Sequence, residues 1–391
     1  MSNCSDTNSD YINSNSESIS QSSDEDITQT NNLDLNSKII NNYNVIYELG
    51  RGSYSIVWLA YNINNQKFYA LKVQNPSEYD EGLDEITFVK KLPIKPSVFN
   101  NIYESFVENI DNINYLCSVW NLHCGNIDSL IRKGKFKSGL PLESIKYIMK
   151  QLISAVKILH HNFKVFHGDI KTDNILIKGL NDKDAFMISE YTKEINIVDN
   201  NKYRQKNHEE IINKIINNFD NHSIDSKYLE NINISLADFG TYCSQDNYYD
   251  ESFGTRYYQA PEIILMGKCS FPVDIWALGC TFYELITGEL LFDPNKDLKY
   301  SRDYYHLCLI NNTCGNFSKN FLKKTKHYKN FFNSKYNIID QQNSLNNKLK
   351  INKFNEQDNY NFNMLLCRML EIDPTKRITI NELYESPLLK K

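Results

Sequence analysis

The apolar residues of this chain change their spacing once, and that change limits the fold more than any other feature. Between residues 43 and 73 they alternate, in YNVIYELG, SIVWLAYN and KFYALKV, three runs separated by turn residues. That alternation predicts three strands of an antiparallel meander. Residues 79–92 carry Leu83, Ile86 and Val89 at helical spacing and stop at Pro93, which predicts one helix. Two more strands are predicted at about 102–107 and 115–120. Beyond Pro141 the apolar residues recur at three and four, as in SIKYIMKQLISAVKILHHN. The expectation is an α+β chain in which a small sheet-rich lobe precedes a larger helical lobe, with a ligand cleft between them.

Three stretches fall outside this pattern. Residues 1–37 are rich in Ser, Asn and Asp, with an acidic cluster at Asp24, Glu25 and Asp26, and read as a disordered tail. Residues 179–232 and 316–359 are rich in Asn and Lys and read as polar insertions on a globular core, the first with some helix around 209–219. The nine cysteines are scattered singly, without metal-ligand or redox spacing, as expected of buried thiols in a reducing compartment. A net charge of −5 argues against a nucleic-acid or anionic-membrane surface and leaves basic protein substrates open. No run of about 18 apolar residues and no cationic leader occurs, so the expected location is intracellular, cytoplasmic or nuclear.

The chemistry is concentrated in a few positions. Gly50 and Gly52 sit in a strand–turn–strand that ends at Val57, where backbone amides can approach phosphate. Lys72 lies on the third strand, and Glu85 falls on the following helix, from which it can reach back to Lys72. Singly, each of these is an ordinary hairpin or surface charge. The second lobe changes the weight. His167, Gly168, Asp169, Ile170, Lys171, Thr172, Asp173 and Asn174 lie between the apolar runs KVF and ILI, so the loop is pinned at both ends. Asp238 ends another apolar strand in Leu236-Ala237-Asp238-Phe239-Gly240. Asp169, Asn174 and Asp238 would then converge with one lysine, and hard oxygen ligands suit Mg2+ bridging phosphate oxygens.

Taken in order, Gly50 and Gly52, Lys72, Glu85, the 169–174 loop, Asp238-Phe239-Gly240 and Ala260-Pro261-Glu262 resemble the eukaryotic protein kinases over about residues 43–389, the two polar runs aside. The resemblance implies the bilobal kinase fold, with lobes at about 43–121 and 122–391. It also implies transfer of the gamma-phosphate of Mg-ATP, with Mn2+ as an alternative ion, to a Ser or Thr of a protein. Asp169 would accept or orient the hydroxyl proton, Lys171 would steady the transferred phosphate, and Lys72, held by Glu85, would grip the alpha and beta phosphates. Asn174 and Asp238 would hold the metal. Gly50, Arg51, Gly52, Ser53, Tyr54, Ser55, Val57 and Ala70 would surround the nucleotide. Asn121 to His123 would form the hinge, and Trp120 would gate the back of the pocket. Thr255 would link the activation segment to the catalytic loop, while Asp274 and the Glu262–Arg377 pair would be scaffold.

In detail SIVWLA, LDEI, the small residue at 168, the long run before Asp238 and LFDPNKDLKYSRDYYHLCLI are similar to the SR-protein kinases of the CMGC group, which act on Arg/Ser-rich proteins. That implies a basic or Arg/Ser-rich substrate and, with no sign of an oligomer, a monomer. The chain departs from the pattern at Ser55, where a third glycine is usual, at Gly168, where most kinases have arginine, and at Gln259, where CMGC kinases have arginine. Tyr304 and Tyr305 after Asp303 thin the acidic residues that grip basic substrates. Without an arginine at 168 the activation segment lacks the usual phosphate receptor, the alternative being that another basic residue, such as Arg256, takes its place. Activity is therefore expected not to need phosphorylation of Ser244, Tyr248, Tyr249 or Ser252. Two rival readings are weighed: a pseudokinase, opposed by intact Lys72, Asp169, Asn174 and Asp238, and a small-molecule kinase, opposed by the peptide-binding segment 255–262.

Overall fold

The computed structural model describes residues 33–390 except 53, 66, 97, 133–135, 179–228, 230, 245–246, 249–251, 296–298 and 342–348. The helix expected around 209–219 and most of the expected tail lie outside the described residues. The chain divides into two units, Met1–Leu35 and Asn36–Lys391, and every described helix and strand belongs to the second.

The alternating runs form β2 (Tyr43–Arg51), β3 (Ser55–Asn62) and β4 (Lys67–Gln74), joined by β5 (Ile102–Ile110), β6 (Ile113–Asn121) and a short edge strand β1 (Ile39–Ile40). The sheet is antiparallel throughout, in the order β1-β2-β3-β4-β6-β5. Helix α1 (Tyr79–Val89) packs on it through Gly82, Glu85, Ile86 and Val89. Leu83, expected on that face, is 44% exposed. The buried stripe is set by Gly82, where a Cβ would stand 2.9 Å from the Gln74 side chain, so the helix approaches the sheet most closely there.

The second lobe is built on α3 (Leu142–Ile158) and α5 (Pro272–Thr287). Helix α3 buries Ile145, Ile148, Met149, Leu152, Ile153 and Val156, the stripe its spacing predicts, and runs into a π turn at Leu159–Phe163. Helix α5 is buried on all sides and carries two fully buried acids, Asp274 and Glu284. Between these helices the catalytic-loop strands β7 (Val165–Phe166), β8 (Ile175–Ile177), β9 (Ile234–Leu236) and β10 (Cys243–Ser244) pair as β7 with β10 and β8 with β9. The chain then continues through α6 (Arg302–Cys314), α7 (Lys319–Leu322), α8 (Glu356–Met369), α9 (Ile380–Tyr384) and α10 (Pro387–Lys390) after the short helices α2 (Ile127–Arg132) and α4 (Pro261–Ile264).

The run 316–359 is polar in composition, and among its described residues several apolar side chains are packed. Phe317, Phe321, Leu322, Phe332, Ile338 and Ile351 are buried in the lobe's core. Lys353 Nζ donates to the carbonyls of Ser138, Ile286 and Leu140 at 2.6, 2.8 and 3.1 Å, tying the run to both α5 and the turn before α3. These apolar anchors and the Lys353 contacts seat the described part of the run against the lobe. Arg377 makes a two-pronged pair with Glu262, at 2.7 and 3.0 Å, and its guanidinium lies 5.1 Å from the Trp276 ring. Both partners are buried, so removing one would cost roughly 3–5 kcal/mol.

His306 on α6 is fully buried, rests 5.5 Å from the Phe292 ring, and finds no hydrogen-bond partner for either ring nitrogen. Burial, with Arg256 nearby, pushes its pKa down to about 3. The unfolded chain protonates this ring near pH 6.5, the folded chain only near pH 3, so stability is complete above pH 6.5 and falls as the pH drops below it. The loss between pH 7 and 5.5 is about 1 kcal/mol. Thermal unfolding followed over that range should show a midpoint that declines with acid in the natural chain and declines less in His306→Leu; equal slopes would contradict the assignment.

Candidate active site

Residues 167–174 are held from below by one carboxylate. Asp274 Oδ2 accepts from the His167 backbone N–H at 2.9 Å and lies 2.8 Å from His160 Nε2, while its Oδ1 accepts from the Gly168 N–H at 3.0 Å. Burial alone would raise the pKa of Asp274, but His160, His167 and the Gly168 amide outweigh it and the net shift is downward. The carboxylate is therefore ionised and its lone pairs are spoken for.

Above this anchor, Asp169 gathers the groups that the sequence placed around it. Lys171 Nζ bridges Asp169 Oδ2 at 2.8 Å and Thr255 Oγ1 at 2.6 Å, and the Thr255 N–H donates to Asp169 Oδ1 at 2.7 Å. Asn174 Nδ2 donates to the Asp169 carbonyl at 2.9 Å and lies 3.3 Å from its Oδ2. Burial opposes the charge on Asp169, yet Lys171 and the Thr255 hydrogen bonds hold its pKa below the usual carboxylate range. Gly168, Asp169, Gly254, Thr255, Tyr258 and Gln259 line a small cleft beside it.

In the first lobe Lys72 Nζ meets Glu85 Oε2 at 2.6 Å, and Glu85 Oε1 accepts from the Phe239 N–H of the second lobe at 3.1 Å. Lys72 is largely removed from water, which disfavours its charge, but Glu85 and Asp238 more than offset this and raise its pKa. Phe239 is fully buried, with its ring 4.9, 5.7 and 6.0 Å from those of His167, Phe88 and Phe99. Asp238 adopts φ 64°, a left-handed conformation that a non-glycine residue rarely takes, and it leaves the carboxylate exposed while Phe239 is buried.

The glycine turn closes with Gly52 N–H to Ser55 carbonyl at 2.9 Å, and Val57 pairs with Gly50 across it. Tyr54 at its tip is 63% exposed, Arg51 pairs with Glu48 at 2.6 Å, and Ser53 lies outside the described residues. Ala70 pairs in register with Trp120, which is buried with its Nε1 donating to Ser118 Oγ at 2.8 Å. Asn121 ends β6. His123 is partly buried, with its Nε2 3.0 Å from Asn100 Oδ1; burial and Lys178 lower its pKa to about 4, so the neutral ring is the donor.

Three features were not read from sequence. His160 supports Asp274 from the end of α3, Tyr258 donates to Glu284 at 2.5 Å, and Tyr242 reaches α1. None carries a motif of its own, and only the tertiary fold brings them to their partners. Arg256, one basic residue available near the activation segment, is paired with Asp303.

An ionised carboxylate held beside a lysine and a threonine, with a second lysine on the sheet braced by a glutamate of the adjoining helix, is the equipment of a phosphotransferase that acts on hydroxyl groups. The pattern of the protein kinase domain matches residues 43–389, and the chain belongs to that family; it is a protein serine/threonine kinase. It is 29% identical to a putative serine/threonine-protein kinase of Acanthamoeba polyphaga mimivirus, covering 89% of this chain and 87% of that one. It is 28% identical to the serine/threonine-protein kinase SRPK of Physarum polycephalum, over 89% and 86%. With the dual specificity protein kinase lkh1 of Schizosaccharomyces pombe it shares 27%, over 74% of this chain and 36% of that one.

Gly168 has φ 82°, and a Cβ there would stand 2.6 Å from the Thr241 carbonyl. The same crowding recurs at Gly254, φ 73°, whose Cβ would stand 2.4 Å from the Gly168 carbonyl. A side chain at 168, an arginine included, would therefore be strained in this backbone. Gly168→Ala should lower stability by roughly 1–3 kcal/mol and reduce phosphoryl transfer with it. Urea denaturation checks this, and a variant with an unchanged midpoint would show that the loop relaxes freely.

Proposed function

We propose that the chain transfers the gamma-phosphate of Mg-ATP to serine or threonine hydroxyls of proteins, with Asp169 as the base. The observation that carries this is the position of Asp169: ionised by Lys171 and Thr255 and fixed by a loop whose backbone is held by Asp274. In this reading Asp169 orients the acceptor hydroxyl and takes up its proton, while Lys171 Nζ faces the transferred phosphoryl group. Lys72, kept in place by Glu85, holds the alpha and beta phosphates. Gly50 to Val57 and Ala70 enclose the nucleotide, and Asn121 to His123 meet its base.

The donor set fits a hard divalent ion shared with phosphate. Asn174 commits its amide nitrogen to Asp169, which leaves its amide oxygen as a ligand, and Asp238 presents an exposed carboxylate. Such an ion would neutralise the charge that develops between the beta and gamma phosphates.

An Arg/Ser-rich or basic substrate is supported by the similarity to SRPK of Physarum polycephalum and by the LFDPNKDLKYSRDYYHLCLI stretch. Two contacts temper the grip on basic residues: Asp303 is paired with Arg256, and Tyr304 is buried with its hydroxyl donating to the Ile339 carbonyl. Activity without phosphorylation of Ser244, Tyr248, Tyr249 or Ser252 is part of the same proposal, since Gly168 offers no phosphate receptor. Among the described residues no helix is long and apolar enough to cross a membrane.

Transfer of labelled gamma-phosphate from Mg-ATP to a peptide array, Arg/Ser-rich sequences included, tests the proposal. The intact chain should label Ser or Thr peptides, and Asp169→Asn should lose about a hundredfold or more of that rate. Equal labelling by both proteins would remove Asp169 from the chemistry, and no labelling by either would leave a pseudokinase.

A further inference from the structure

Phe239 to Ser244 leave the active site along α1, and one residue of that segment grips the helix by two independent contacts. The Tyr242 ring is stacked on Phe88, with centroids 4.0 Å apart and planes 13° from parallel, and the Tyr242 hydroxyl donates to Asp84 Oδ2 at 2.9 Å. Asp84 and Phe88 are one helical turn apart and so share a face of α1. Glu85, which holds Lys72, is the neighbour of Asp84. Phe88 also meets Phe239, so a single buried ring is pressed by two residues of the segment.

The base of Tyr242 is fixed from the other lobe. Its N–H donates to the Phe239 carbonyl at 3.2 Å, the Thr241 hydroxyl donates to the His167 carbonyl at 3.1 Å, and Cys243 and Ser244 pair with Phe166 and Val165. Tyr242 thus connects backbone anchored beside the catalytic loop to the helix that carries Glu85. Its phenol stays protonated, and so remains a donor to Asp84, because burial and Asp84 push its pKa up to about 12.

The geometry points to Tyr242 as a positioning residue: with Asp84 and Phe88 it forms an unmodified clamp that holds α1, and through it Glu85, in the arrangement that Lys72 requires. This rests on the kinase reading and extends it. A helix that other switches would hold through an added phosphate is held here by a tyrosine and an aspartate of the chain itself. Lys72, Glu85 and Asp169 are untouched by changes at 242 or 84.

Four variants of the full chain test the clamp: Tyr242→Phe, Tyr242→Ala, Asp84→Asn and Asp84→Leu. Two readouts are taken, steady-state phosphoryl transfer to a peptide and amide hydrogen exchange within residues 84–90. Tyr242→Ala should lower kcat about tenfold, with little change in the KM for peptide, and should speed exchange in α1. Tyr242→Phe keeps the ring and should fall between it and the natural chain. Asp84→Asn keeps an acceptor oxygen and should stay near the natural values, whereas Asp84→Leu should match Tyr242→Phe. Tyr242→Ala with natural kcat and natural exchange in α1 would overturn the inference, as would a lowered melting point with kcat unchanged below it, the signature of a mere core filler. The exchange readout needs no turnover. A natural chain without transfer would therefore defeat the kinase reading while α1 exchange still decides the clamp.

Discussion

One buried carboxylate organises the rest of the molecule. Asp274 sits on the buried helix α5 of the second lobe, and its two oxygens receive the backbone of His167 and Gly168 together with the ring of His160. A charge in that position is costly unless fully hydrogen-bonded, so the loop that satisfies it has little freedom to shift. The direction of Asp169 is therefore set by a residue more than a hundred positions away in sequence.

From that anchor, constraint passes outward in short steps. Asp169 fixes Thr255 and Lys171, which join the activation segment to the loop. His167 packs against the Phe239 ring, and the Phe239 N–H reaches Glu85, which positions Lys72 on the sheet. The tight places in the backbone lie along this same path: Gly168 and Gly254 approach each other too closely for a side chain, and Asp238 takes a left-handed conformation. Backbone strain persists only where surrounding contacts over-determine it, and here it accompanies the residues nearest the chemistry.

Much of this was legible in the sequence because its signals are local. The alternation in SIVWLAYN and KFYALKV marked both strands, and the apolar runs flanking 167–174 marked a pinned loop. Other features were hidden for physical reasons. Leu83 obeys the helical spacing as well as Glu85 does, and only the close approach at Gly82 shows which stripe is buried. In the run 316–359 polar residues outnumber apolar ones, so composition gives no sign that Phe317, Phe321 and Phe332 are buried or that Lys353 donates to the Ile286 carbonyl. His160 and Tyr242 act through partners far away in the chain, and no spacing rule reports such pairs.

The dependence of catalysis on Asp274 separates from its contribution to stability by comparison with Arg377, another buried charge far from the reacting groups. The decisive measurement is kcat for Asp274→Asn and Arg377→Met at a temperature where both are shown to be folded. The account predicts that both lose stability, that Arg377→Met keeps a kcat near the natural value, and that Asp274→Asn loses about a hundredfold as Asp169 drifts from its position. A folded Asp274→Asn with natural kcat would contradict it.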